Sequence, residues 1–217
     1  MEILTGSGPA QAVIDQAGVP AFLLVLTHGA GGGVDSRDLL AARDAGLELG
    51  AAVARVTQPY RVRGGRAPGS ADRQDAAWLE VVGQLRRDFA GIPLVQGGRS
   101  NGARLACRTA GPAGARAVLA LAFPLHPPGH PERSRAAELR AAGTDVLVVN
   151  GSSDPFGVPD SADATKVVVL AGETHALSRH PEMVMQAVGS WLAEVLWPGR
   201  GRAAGTGEPG GPGRPGG

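Results

Sequence analysis

The chain of 217 residues has one cysteine, Cys107, so no disulfide can form within it. That agrees with a reducing compartment, and a cytoplasmic location is expected. Lysine is just as scarce: Lys166 is the only one among 21 basic residues, against 20 acidic ones. The resulting net charge of +1 excludes a strongly basic nucleic-acid surface, and no nucleic-acid partner is expected. The arginines are scattered between acidic residues in a chain rich in Ala and Gly. We read that preference as a coding bias rather than as phosphate recognition. Long apolar runs are also missing. The longest, Val19 to Thr27, contains a proline and is too short to span a bilayer, so no membrane partner is expected. Met1 to Ala10 has no basic stretch followed by an apolar one, so no secretory signal is read there. There is no internal repeat.

What is present reads as globular. Apolar residues make up 43% and charged residues 19% of the chain, with 34 glycines. The last twenty residues, Pro198 to Gly217, are almost all Gly, Pro, Arg and Ala. They cannot bury enough apolar area to offset chain entropy, so a disordered tail is expected after a single domain of residues 1–197. Within that domain, apolar runs bounded by Gly or Pro alternate with amphipathic stretches. The runs are Ala21 to Gly29, Gly50 to Pro59, Ile92 to Gly98, Ala115 to Pro124, Thr144 to Asp154 and Thr165 to Gly172. Apolar on both faces, they suit central parallel strands. The helix-like stretches are Ser36 to Gly50, Ser70 to Phe89 with Ser70 as its cap, Asn101 to Gly111, Ser134 to Gly143, and His180 to Trp197 with a proline in its first turn. Such alternation implies an α/β fold: a mostly parallel sheet covered by helices, with chemistry at the carboxyl ends of its strands.

One short stretch focuses the question of chemistry. Gly98-Arg99-Ser100-Asn101-Gly102 matches G-x-S-x-G, the sharp strand-to-helix turn that presents a serine nucleophile in α/β-hydrolases. The alternative is an ordinary glycine-rich loop with Ser100 capping the next helix. A nucleophilic serine needs a base, and the base needs an orienting acid, here in the order Ser, acid, His. Asp154 follows one apolar run and His175 the next, in that order. Asp160 and Asp163 are rival acids further from the strand end. The oxyanion formed during acyl transfer needs two backbone donors. Asn101 N–H, just after the nucleophile, is one. The loop "THGAGGG" from Thr27 to Gly33 offers the other, with Ala30 N–H favoured and Gly31 second.

Other readings of these residues are weaker. G-x-x-x-x-G-K-[ST] is absent, and Gly29-x-Gly31 is followed by Asp35 and Ser36, not by the third glycine that a dinucleotide fingerprint needs. No cofactor is therefore expected. His126 and His130 sit in a proline-rich loop without a third ligand, so no metal is expected. His28 reads as a structural residue of the glycine loop, and Cys107 as a packing residue of the helix after Ser100.

Six stretches together, "THGAGGGVDS", "QPYRVRGGRAP", "GGRSNGAR", "FPLHPPGHPE", "NGSSDPFG" and "GETHAL", resemble a family of small predicted α/β-hydrolases. That family is shared with a testis-expressed vertebrate protein and a subunit of the NSL chromatin complex, and it is related more distantly to dienelactone hydrolases. The resemblance covers residues from about 5 to 197 and implies an α/β-hydrolase fold without a large cap domain. It implies Ser100 as nucleophile, Asp154 as acid and His175 as base. Two departures from the family pattern are Asn101 and Ala103, where Met and Gly are common. The expected function is hydrolysis of a small-molecule ester or thioester by a serine hydrolase. The alternative is a hydrolase-fold scaffold whose working face is the arginine-rich stretch around Pro59 to Pro68. Oligomeric state is not legible.

Overall fold

A computed structural model describes residues 1–198 of the chain. The expected tail lies, from residue 199 on, outside the described residues.

An eight-stranded sheet in the order β1-β2-β4-β3-β5-β6-β7-β8 forms the centre. The strands are β1 (Glu2–Thr5), β2 (Gly8–Asp15), β3 (Phe22–Thr27), β4 (Ala51–Thr57), β5 (Leu94–Arg99), β6 (Ala117–Leu121), β7 (Asp145–Gly151) and β8 (Lys166–Leu170). From β4 through β8 every pairing is parallel, while β1 and β2 add an antiparallel hairpin at the β4 edge. All six apolar runs read from the sequence hold strands; five are trimmed by a few residues, and β5 starts two residues later and runs one residue further, to Arg99. The hairpin was not assigned. In β2 Ala10 and Ala12 are buried while Gln11 and Val13 are exposed, so it is a half-buried strand whose apolar face is two alanines and the partly buried Ile14.

The helices are α1 (Arg37–Glu48), α2 (Pro59–Val62), α3 (Ala71–Asp88), α4 (Asn101–Ala113), α5 (Ala136–Arg140) and α6 (Pro181–Leu196). Alternate strand residues face opposite layers, as the pleat requires. Leu24 and Leu26 pack with Leu39 of α1 and with Val184, Val188 and Trp191 of α6. Leu23 and Val25 pack with Trp78, Val81, Val82 and Leu85 of α3 and with Leu105 of α4. Burying both faces is why β3 reads as an unbroken apolar run, each large side chain contributing about 1.5–3 kcal/mol.

Ser70 stands at the N-cap of α3, but its hydroxyl makes no capping bond. Its carbonyl instead accepts the amide of Gln74 and, at 3.3 Å, the Gln74 side-chain amide. Between β6 and β7 the only helix is α5, with five residues, shorter than the stretch Ser134 to Gly143. No helix among the described residues is long and apolar enough to cross a membrane.

Candidate active site

β5 passes into α4 through a single residue, Ser100, whose backbone sits at φ 53° and ψ −117°. That is a sparsely populated conformation, of a kind that costs about 1–3 kcal/mol and persists only where its surroundings enforce it. The surroundings here are glycines. A Cβ on Gly98 would lie 2.6 Å from the Thr27 carbonyl oxygen, and one on Gly102 would lie 2.7 Å from that of His28. Gly98 and Gly102 are thus required by the close packing of β3, β5 and α4. The alternative in which Ser100 caps its helix fails: the hydroxyl makes no bond to a helix amide and turns toward His175.

His175 lies in the loop after β8, and Asp154 in the loop after β7. The imidazole Nε2 is 2.9 Å from Ser100 Oγ, and Nδ1 is 2.8 Å from Asp154 Oδ2. A carboxylate can only accept, so Nδ1 carries the proton and Nε2 is left to accept from the serine hydroxyl. The Asp154 side chain is completely buried, whereas that of His175 is 20% exposed. Asp154 Oδ1 accepts the Phe156 amide at 2.9 Å. The Phe156 ring lies against the imidazole with centroids 4.3 Å apart. The rival acids are engaged elsewhere. Asp163 pairs with Arg140 at 3.5 Å and accepts the Asp160 amide.

The glycine loop after β3 lies directly against the serine. A Cβ on Gly29 would come 3.1 Å from Ser100 Cβ. Gly32 N–H turns back to the Gly29 carbonyl at 3.3 Å, and the Tyr60 hydroxyl of α2 donates to the Ala30 carbonyl at 3.1 Å. The amides of Ala30, Gly31 and Asn101 make no hydrogen bond among the described residues. The side chain of Asn101 is turned away to donate to Gln74 of α3 at 2.7 Å. His28 is fully buried; its Nδ1 meets the Gly29 carbonyl at 2.8 Å and its Nε2 accepts the Gln58 amide at 3.0 Å. Desolvation lowers its pKa, so it is a neutral brace between β3 and β4.

Several residues of this neighbourhood were not singled out in the sequence. Asn150, at the end of β7, accepts the Phe123 amide through Oδ1 at 2.8 Å and donates through Nδ2 to Asp154 at 3.3 Å. Glu173, fully buried, accepts the amides of Ser178, Arg179 and His180 and so shapes the chain leaving His175. Both are buried polar residues at or just beyond the end of a strand, where an unpaired group is costly; that placement is the clue. Cys107 is buried and its thiol pKa is pushed up to about 12 by desolvation. His126 Nδ1 lies 2.9 Å from the Pro127 carbonyl and His130 Nδ1 3.1 Å from Glu132.

A cavity of about 450 Å³ lies beside the site, lined among others by Gln58, Tyr60, Pro68, Gln74 and Trp78. None of Ser100, Asp154 and His175 lines it; it adjoins them through the Gln74–Asn101 bond.

This architecture defines an α/β hydrolase. The chain belongs to the family described as Alpha/beta hydrolase domain, which matches residues 20–180. Among solved structures it is similar to Est1E from Butyrivibrio proteoclasticus in a complex with ferulic acid. That likeness has a TM-score of 0.75 and 19% identity over 90% of this chain and 99% of that one. An α/β serine hydrolase without lid from Xanthomonas campestris gives 0.69 and 18%, over 89% and 93% of the two chains. A dienelactone hydrolase from Anabaena variabilis gives 0.70 and 15%, over 89% and 95%. At these identities the likeness is one of fold. No curated protein matches the chain.

Proposed function

We propose that the protein is a serine hydrolase that cleaves a small-molecule ester or thioester through an acyl-enzyme intermediate. The observation that carries this reading is the unbroken hydrogen-bond chain from Ser100 Oγ through His175 to Asp154. Ser100 Oγ attacks the acyl carbon while His175 Nε2 takes its proton. The imidazolium then protonates the departing alcohol or thiol, and water attacks the acyl-serine by the same route in reverse. Asp154 holds the imidazole in the tautomer this requires. Ala30 N–H and Asn101 N–H receive the oxyanion; loss of one such donor typically lowers turnover about 10²–10³-fold. No step requires a metal or cofactor.

Only 54 positions separate Ser100 from Asp154, and α5 is the one helix between β6 and β7. That leaves little material for a lid and favours small or extended acyl groups over long lipid chains. Strong preference for long-chain esters would oppose this part of the reading. The narrower kinship with the testis-expressed protein and the NSL subunit rests on the six sequence stretches and is part of the same proposal.

The test is labelling with a fluorophosphonate probe of the wild type beside Ser100→Ala and His175→Ala, with the modified peptide identified by mass spectrometry. Labelling at Ser100 that disappears in both variants is the expected result. A folded wild type that takes up no probe would overturn the catalytic reading in favour of a scaffold.

A further inference from the structure

Arg99 occupies the first open position of G-x-S-x-G, where the motif asks for no particular residue. Its guanidinium is nevertheless held in place, with a side chain only 15% exposed. Nε donates to Asp38 Oδ2 at 2.8 Å, and Nη2 donates to the main-chain carbonyl of His175 at 2.7 Å. Nη1 lies 3.9 Å from where a Cβ on Gly32 would be. Asp38, in the first turn of α1, is completely buried, and its other oxygen accepts the Leu39 amide at 2.9 Å. One planar group thus joins three parts of the fold: the strand that delivers Ser100, helix α1 and the loop that carries His175.

We propose that Arg99 is a positioning residue that fixes the backbone of His175 at the distance Ser100 requires. This rests on the reading of Ser100 and His175 as nucleophile and base. Asp154 and Phe156 act on the imidazole ring; Arg99 acts on the main chain from which the ring hangs. The other ties of that loop flank the histidine: the Glu173 carbonyl accepts the Ser153 amide, and the Glu173 carboxylate accepts the amides of residues 178 to 180. Between them Leu177 has a φ of 46°, a left-handed conformation that a β-carbon disfavours. Arg99 is therefore the tie on His175 itself. Arginine suits the task because its rigid fork reaches two acceptors at once, whereas the single nitrogen of lysine is a point charge. Nor is the pair explained by stability alone, because a buried ion pair contributes little that apolar side chains of similar volume would not.

The test compares Arg99→Lys and the double variant Arg99→Met with Asp38→Asn. The double variant avoids leaving a buried carboxylate alone. A control, Arg104→Met with Glu138→Gln, removes an ion pair between α4 and α5 that does not touch His175. Turnover of p-nitrophenyl acetate is measured with the downfield proton resonance of His175 Nδ1–H, which needs no substrate. Both Arg99 variants are expected to stay folded, keep KM within about twofold and lose kcat on the order of 10²-fold, the scale of a misplacement near 1 Å. Their downfield proton should broaden away, while the control keeps wild-type kcat and proton. A folded Arg99 variant with wild-type kcat or an unchanged proton would overturn the proposal, as would a wild type that lacks the resonance. If the wild type shows the proton but no turnover, the hydrolase reading fails and the proton's response in the Arg99 variants still decides this one.

Discussion

His175 Nε2 lies 2.9 Å from the hydroxyl of Ser100, across 75 positions of sequence. The bond crosses from the loop after the edge strand β8 to the central strand β5. Its direction depends on Asp154, which keeps the imidazole proton on Nδ1. Asp154→Asn should leave the fold intact and lower kcat on the order of 10⁴-fold, because the wrong tautomer becomes available. Steady-state kinetics on a p-nitrophenyl ester checks this; a loss under about tenfold would remove Asp154 from its assigned role.

The glycines around Ser100 make a second prediction. Gly98→Ala and Gly102→Ala push a methyl group into backbone of β3. Each should destabilise by about 1–3 kcal/mol or more. For a chain of this length that is a fall in Tm of at least about 2–4 °C. Gly83→Ala, in α3 with only the far end of the Arg87 side chain within 4 Å, should instead raise Tm slightly. Thermal denaturation followed by circular dichroism separates the three.

His28 predicts a pH dependence of stability. Its folded pKa is lowered from 6.5 by desolvation. The unfolded chain therefore takes up this proton at a higher pH than the folded one. The stability due to neutral His28 is present above 6.5 and is lost as pH falls from there toward the lowered folded value. In His28→Gln that part of the slope should vanish. Tm measured between about pH 7.5 and pH 5 tests it, and an unchanged slope would contradict the assignment.

Cys107 gives a fourth. A buried thiol with a pKa of about 12 holds almost no thiolate near neutral pH. Iodoacetamide should leave the native protein unmodified and alkylate it once in denaturant, as intact mass would show. Rapid native alkylation would mean that α4 opens far more readily than its packing implies.

The parallel strands were legible because β3 to β7 are buried on both faces and β8, half-buried at the edge, is still an unbroken run of valines and leucine. The hairpin was not, because the fully buried residues of β2 are Ala10 and Ala12, too small to stand out against exposed Gln11 and Val13. Ser100, Asp154 and His175 could be picked out one by one, since each follows an apolar run. What sequence does not display is pairing at a distance. Arg99 meets Asp38 across 61 positions and the His175 carbonyl across 76. Asn150 announces itself only as a polar residue where a buried strand ends. Sequence separates Asp154 from Asp160 and Asp163 only by nearness to the strand end; its burial and its bond to His175 are properties of the finished fold.

The strand order also bears on how the molecule is made. From β3 outward on one side lie β5, β6, β7 and β8, in the order in which a ribosome releases them. Each strand emerges to find its partner already exposed, so the sheet widens on that side without displacing anything laid down before. Ser100 leaves the ribosome in the middle of this growth, and His175, the base proposed for it, follows the last strand. Until the chain past β8 has been synthesised, the hydroxyl has no proton acceptor beside it, and the nascent protein passes through most of its synthesis unarmed.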